Sequence, residues 1–62
     1  APMYRLALSQ ALNGQSGAAQ LTLARMCRMQ RKKACESARE DWANKSAGEF
    51  PQLQAIAFPE TN

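Results

Sequence analysis

Two cysteines and a cluster of cations share one short stretch of this chain. Cys27 and Cys35 both lie in the stretch RMCRMQRKKAC, residues 25–35. Five cations lie there with no acid among them: Arg25, Arg28, Arg31, Lys32 and Lys33. Thiols can pair as a disulfide, while guanidinium and ammonium groups bind phosphates and carboxylates. The stretch therefore offers a covalent link and a basic patch, the name we use for these five residues.

The distance between the Cα atoms of the two cysteines depends on whether one helix continues from Cys27 to Cys35. In an unbroken helix, a rise of 1.5 Å per residue would separate their Cα atoms by about 12 Å. A disulfide requires a Cα separation of less than about 7 Å. A break over residues 30–33 would bring the end of one helix against the start of the next. We therefore predict a Cys27–Cys35 disulfide, which favours an oxidising compartment, with two free buried thiols as the alternative.

Other kinds of reactive site have little support in the sequence. There is no histidine, so a zinc site would have only two of its usual four ligands, and no serine has the base that a triad needs. Glu36 and Glu40 lie one turn apart, but acids early in a helix usually complement its dipole. We expect Trp42 in the core rather than as a stacking surface for a sugar or base. We predict no catalytic residue, no metal ligand and no cofactor.

The charge balance is positive, with eight Lys and Arg against five Asp and Glu, or +3. A basic patch can bind nucleic acid, anionic lipid or a phosphate-bearing substrate, or it can be a solvated helix end. No apolar run approaches the roughly 18 residues that span a bilayer. The chain begins APMYR, with neither an initiator methionine nor a signal-peptide pattern, so we expect a mature product or an excised soluble piece.

The first helix is predicted over PMYRLALSQALNG, residues 2–14 including its stop signal. Pro2 suits a first helical turn, where its missing N–H costs nothing. Tyr4, Leu8 and Leu12 follow the spacing of one apolar face, together with an alanine at position 11. Asn13 and Gly14 form a stop signal because glycine tolerates the left-handed backbone that ends many helices.

A second helix is predicted from an N-cap at Ser16 to Met29. Its inward face carries side chains spaced by three and four: Ala19, Leu23, Met26 and Cys27. Because only two or three residues link the first two helices, they are expected to form an antiparallel hairpin.

A third helix is predicted through ACESAREDWANKSAG, with Cys35, Ala38 and Trp42 on one face and a stop at Gly48. A short helical turn over residues 52–57 would pack Leu53 and Ile56 on the core. No strand pattern occurs. We therefore predict an all-α fold in one small domain, residues 1–58, closed by one disulfide and followed by a frayed tail, residues 59–62. The predicted core residues are Tyr4, Leu8, Leu12, Leu23 and Trp42.

The hairpin resembles a tetratricopeptide unit, with Leu6-Ala7 in its first helix, Gly14 at its turn and Leu23 in its second helix. Gln10 stands where the repeat has an aromatic residue, and Arg31 stands where it has a proline. A solenoid needs about three such repeats, so a single copy predicts only a TPR-like hairpin.

A second resemblance covers residues 4–56. The order YRLALSQALNGQ, LARMCR, a second cysteine, Trp42 and FPQL resembles the C-terminal region of bacterial pilin O-oligosaccharyltransferases, in the membrane polymerase and O-antigen ligase superfamily. Its most specific elements are ALNG at residues 11–14, the two cysteines and Trp42. None of these is a catalytic signature.

This resemblance implies a polytopic inner-membrane glycosyltransferase that moves a glycan from a lipid carrier to a serine or threonine of pilin. The catalytic residues would lie in a periplasmic loop that this chain lacks. The chain would be a non-catalytic soluble module at the periplasmic face, with a role in structural support or docking. Its partners would be the rest of the enzyme and also the pilin acceptor or the lipid-linked oligosaccharide.

Two alternatives stay open. One is a free-standing basic helical module that binds nucleic acid, and the other is a small secreted helical protein. We expect no nucleic-acid partner, because the basic stretch lacks interleaved aromatic residues.

Overall fold

The computed structural model describes residues 2–59. Three α-helices and one short 3₁₀-helix follow one another: α1, Pro2–Leu12; α2, Ser16–Met29; α3, Lys32–Ala47; and the 3₁₀-helix, Pro51–Ala55. No strand occurs in this part of the chain. The predicted all-α fold, with a hairpin, a third helix and a short C-terminal turn, is confirmed. Most of the predicted frayed tail, residues 60–62, lies outside the described residues.

The turn between α1 and α2 is built around one glycine. Gly14 has a φ of +80°, a conformation that glycine adopts without steric cost. Its N–H donates to the carbonyl of Ala11 at 3.1 Å, and the N–H of Gln15 donates to that of Gln10 at 2.8 Å. These two bonds form a Schellman motif, which satisfies carbonyls that the helix end leaves free. The predicted stop at Asn13-Gly14 is therefore confirmed.

The helix that follows begins one residue away from the predicted cap. Gln15, not Ser16, is the N-cap of α2, and Ser16 is the first helical residue. The carbonyl of Gln15 accepts the N–H of Ala19 at 2.9 Å, which places the helix start there. No side chain caps this end.

Small side chains line the contact between α1 and α2. Ala7 and Ala19 are fully buried, Ala11 is nearly so, and all three belong to the same core cluster as Leu23. Side chains of this size let two helix backbones approach closely. Thr22 adds a polar tie across the pair, since its hydroxyl lies 2.7 Å from Gln10 Oε1.

The predicted core extends too far around α1. Leu23 and Trp42 lie in the core, and Tyr4 and Leu8 pack half-buried against it. Leu12, however, is 39% exposed and is not a core residue. At about 100° per residue, it lies a quarter-turn or more away from the line of Ala7 and Ala11 that faces α2.

Trp42 connects α3 to both ends of the described chain. Its ring centroid lies 6.3 Å from that of Tyr4 and 6.0 Å from that of Phe58, the latter edge-on. Cys35 and Ala38 are buried on the same face of α3, as the spacing predicted. The indole N–H of Trp42 is buried without a hydrogen-bond partner among residues 2–59.

The C-terminal segment folds back along α3. Gln54 donates from its side-chain amide to the carbonyl of Ser46 at 2.9 Å, and Arg39 donates to the carbonyl of Pro59, also at 2.9 Å. Later residues thus meet earlier positions on α3, which makes the segment antiparallel to the helix. Leu53 and Ile56 are buried. The predicted turn is confirmed, although its helical part begins at Pro51 and ends at Ala55.

Candidate functional site

The junction between α2 and α3 is a two-residue break. Gln30 and Arg31 are extended, with ψ angles of 168° and 152°, and α3 begins directly after them. Lys32 and Lys33 are therefore helical, so the predicted break over residues 30–33 is two residues too long. The carbonyl of Arg31 accepts the N–H groups of residues 34 and 35 at 3.0 and 3.2 Å, so the helix starts earlier than predicted.

This break brings the two cysteines together. Cys27 and Cys35 form a disulfide with a Cα–Cα distance of 5.0 Å, as predicted. Cys35 is fully buried, and Cys27 is half-buried at the edge of the core. The covalent link therefore joins the last turn of α2 to the first turn of α3.

The disulfide is the main connection across this junction. α1 packs closely along α2, whereas the direct contact between α2 and α3 is small. The hydrogen bond from the N–H of Gln30 to the carbonyl of Met26, at 2.9 Å, ends α2 and does not reach α3. Chain-entropy arguments assign about 2.5 kcal/mol of stability to a disulfide that closes so short a loop. The disulfide therefore adds a covalent link to the core cluster that Leu23 and Met26 of α2 share with Trp42 of α3.

The basic patch surrounds the junction, and all five of its residues are exposed. Two cations lie in the last turns of α2, one in the break and two in the first turn of α3. Within residues 2–59 the one ion pair is between Lys45 and Asp41, at 3.2 Å. No carboxylate in this part of the chain therefore pairs with the patch, and its field acts on the surroundings.

The start of α3 carries unusual charges for a helix N-terminus. Helices favour acids in their first turn, because the dipole is positive there. α3 instead has Lys32 and Lys33, with no acid in that turn and no side-chain cap from Arg31. Each misplaced charge of this kind costs roughly 0.3–1 kcal/mol. The dipole also adds its positive end to the patch.

An open cleft with a volume of about 320 Å³ lies beside the patch. α1, the end of α2 and one face of α3 contribute the residues that line it: Tyr4, Met26, Gln30, Ala34, Ser37, Ala38 and Asp41. Gln30 belongs both to this cleft and to the break, so the two features are contiguous.

A hydrogen bond between distant residues forms one wall of the cleft. The hydroxyl of Tyr4 donates to Asp41 Oδ2 at 2.7 Å, and Lys45 Nζ lies 3.2 Å from the same oxygen. The Tyr4 hydrogen bond, and secondarily Lys45, lower the pKa of Asp41, although partial desolvation opposes them. Burial, followed by the hydrogen bond to Asp41 and the charge of that residue, raises the pKa of Tyr4. Both effects favour a neutral tyrosine bound to an ionised aspartate.

The Tyr4–Asp41 pair had no signal in the sequence. The two residues are 37 positions apart and meet because of how α1 and α3 are rotated about their axes. Glu36 and Glu40, which lie one turn apart on α3, are both exposed. Among residues 2–59, no three potential metal ligands come together, and no helix is long and apolar enough to cross a membrane.

Comparison of this chain with protein-family models, with curated proteins and with solved structures finds no match.

Proposed function

We propose that this chain is a non-catalytic docking module of a bacterial membrane O-oligosaccharyltransferase, an enzyme that transfers a lipid-linked glycan to pilin serine or threonine. In this proposal the basic patch binds the phosphate groups of anionic phospholipids at the periplasmic face of the inner membrane. One observation carries the proposal: five exposed cations, unpaired within residues 2–59, surround a junction that a disulfide closes.

Charge complementarity favours an anionic membrane surface as the docking partner. A Lys or Arg near such a surface contributes about 1 kcal/mol of attraction. Met29, next to the break, is 74% exposed and offers an apolar side chain between the cations. An apolar contact combined with several cations is the usual composition of a surface that binds at the membrane interface.

The disulfide supports the proposed location in the periplasm. Disulfides persist in oxidising environments such as the periplasm and are rare in reducing cytosols. The resemblance of residues 4–56 to the C-terminal region of pilin O-oligosaccharyltransferases suggests the same compartment. The two arguments share Cys27 and Cys35, and only ALNG at residues 11–14 and Trp42 add to the resemblance independently of the disulfide.

A rigid junction suits a docking role. If the patch rests on the membrane, the disulfide fixes how α2 and α3 leave that surface. The remaining faces of the module would then meet the rest of the enzyme and the pilin acceptor or the lipid-linked oligosaccharide. The chain itself would supply orientation, and the catalytic residues would come from elsewhere in the enzyme.

Vesicle flotation tests the membrane contact. The chain should float with vesicles that contain phosphatidylglycerol and not with pure phosphatidylcholine vesicles, and salt should weaken the binding. The variant Arg31→Gln/Lys32→Gln removes two charges from the patch. At about 1 kcal/mol each, this should weaken binding about 30-fold.

A control variant separates the patch from net charge. Gln15→Glu/Gln20→Glu changes the net charge by the same amount at exposed positions near the other end of α2. It should retain most of the binding. Equal losses in the two variants, or tighter binding to duplex DNA than to the vesicles, would contradict the proposal.

The gene and the cell provide the second test. A long, apolar-rich coding sequence upstream of this chain is expected, and a short reading frame would contradict the membrane-enzyme part of the proposal. In the full-length enzyme, changing Arg28, Arg31, Lys32 and Lys33 to glutamine should reduce pilin glycosylation while leaving protein levels unchanged. Undiminished glycan transfer would exclude a docking role for the patch.

A further inference from the structure

The cleft beside the basic patch has a chemistry that membrane docking does not use. Four polar side chains from α1, the break and α3 line it: Tyr4, Gln30, Ser37 and Asp41. They comprise two hydroxyls, an amide and a carboxylate, so the cleft presents both donors and acceptors. Its volume of about 320 Å³ lies at the lower end of small-molecule sites, which span roughly 300–1,000 Å³. The cleft is therefore suited to a single ring-sized polar group.

The charges around the cleft favour a neutral ligand. Asp41 is the one charged residue in its lining, and both the Tyr4 hydroxyl and the Lys45 ammonium already engage that carboxylate. A cation would face repulsion from Lys45 and from the neighbouring basic patch. An anion inside the cleft would face the carboxylate of Asp41. A neutral group that is rich in hydroxyls meets neither obstacle.

The rest of the lining is apolar. Met26 is almost fully buried and contributes a thioether, while Ala34 and Ala38 contribute methyl groups from α3. A pyranose ring has matching chemistry, because its hydroxyls project from the edge and its C–H groups form a face. Small-molecule sites commonly combine such an apolar surface with a few placed polar groups.

We propose that this cleft binds one neutral hexose unit of a glycan. The inference rests on the proposed function and names its substrate class at this site. Gln30 lines the cleft and directly precedes Arg31 in the chain. The cleft therefore opens next to the basic patch, while none of the five cations lines it.

Titration with uncharged sugars, followed by ¹H–¹⁵N NMR, tests the cleft. The probes are methyl β-glucopyranoside, methyl β-galactopyranoside and N-acetylglucosamine. At least one should shift the backbone amides of Gln30, Ala34 and Ser37 in a saturable way, with a dissociation constant on the order of 1–10 mM, typical of a weak single-sugar contact. Amides in the α1–α2 turn should not shift.

Two leucine variants localise the binding. Ala34→Leu fills the cleft from an exposed position of α3 and should weaken sugar binding at least about tenfold. Ala43→Leu makes the same change on an exposed part of α3 outside the cleft and should leave binding unchanged. Alanine and leucine both have high helix propensity, so neither substitution should unfold α3.

The contrary outcomes distinguish this inference from the proposed function. No saturable shift with any neutral sugar, or equal loss in the two leucine variants, would overturn the sugar site. If the chain still floats with anionic vesicles in that case, the docking proposal stands without it. Sugar binding that persists when vesicle flotation fails would support the cleft and contradict the membrane contact.

Discussion

The two helix pairs in this chain are held together in different ways. α1 and α2 share a buried contact built from small side chains such as Ala7 and Ala19. α2 and α3 share little contact beyond the disulfide, and the residues around their junction are exposed cations. A domain of about 60 residues buries only about 60% of its unfolded surface. One covalent bond thus joins two helices of a small domain at an end whose side chains are polar and exposed.

The largest expected effect comes from the packed pair. Leu23→Ala removes a fully buried side chain from α2 and should lower the free energy of unfolding by about 3 kcal/mol. Leu21→Ala makes the same change two residues earlier, where leucine is 64% exposed, and should cost less than about 0.5 kcal/mol. Urea unfolding followed by Trp42 fluorescence measures both. Similar losses in the two variants would contradict the assignment of the core.

Loss of the disulfide should loosen mainly the junction between α2 and α3. Replacing Cys27 and Cys35 with alanine should lower the free energy of unfolding by about 2.5 kcal/mol. Alanine is preferred to serine here because a serine would bury an unpaired hydroxyl. Amide hydrogen exchange should accelerate across residues 28–34 more than in the α1–α2 contact. A reductant should produce the same change in the wild-type chain and none in the variant. Uniform acceleration throughout the chain would show that the two helix pairs are not independent in this way.

The contact between α1 and α3 should make stability depend on pH. The pKa of Asp41 is lower in the folded chain than its ordinary value of 3.8. Ionised Asp41 therefore adds to the free energy of unfolding above pH 3.8, and this added stability is lost as the pH falls through the pKa of the folded chain. Tyr4→Phe removes the main cause of this shift and should cost about 1 kcal/mol near neutral pH. The acid-induced loss should then be smaller. Urea midpoints from about pH 7 downward measure both.

A lysine control separates the hydrogen bond from the ion pair. Lys45→Met removes the ammonium group and keeps a chain of similar length. The Lys45 side chain is 33% exposed, and that of its partner Asp41 is 45% exposed. Such pairs contribute little. A larger effect from Lys45→Met than from Tyr4→Phe would contradict the order of causes given for Asp41.

The smallest expected effect runs in opposite directions for stability and binding. Lys32→Glu places an acid in the first turn of α3 and should raise the free energy of unfolding by roughly 0.5 kcal/mol. The same change should weaken binding to anionic vesicles, because it reverses a charge of the basic patch. Lys32→Gln should fall between wild type and Lys32→Glu in both measurements. Reduced stability in Lys32→Glu would show that the dipole argument is wrong at this helix start.

The features that could be predicted from the sequence depend on short-range chemistry. Gly14 ends α1 because of its backbone freedom, and the Cys27–Cys35 spacing allows a disulfide only if the helix breaks between them. Periodicity also identified the face of α3 that carries Trp42. Each of these conclusions needs only the properties of one helix or one turn.

The features that were missed depend on how helices are placed against each other. Leu12 follows the apolar spacing of α1, but the contact with α2 is centred on alanines, which leaves the leucine exposed. The cleft needs Tyr4 and Asp41 to meet across 37 positions, and the return of Phe58 to α3 is equally non-local. Local patterns carry no information about these rotations.

The position of Trp42 makes its fluorescence a measure of whether both ends of the described chain are packed on α3. Its ring touches Tyr4 near the start of the described chain and Phe58 near its end. Release of either aromatic neighbour would change the surroundings of the single indole and therefore its emission. One fluorophore that is native to the chain can thus follow the detachment of α1 and of the returning C-terminal segment, without any label.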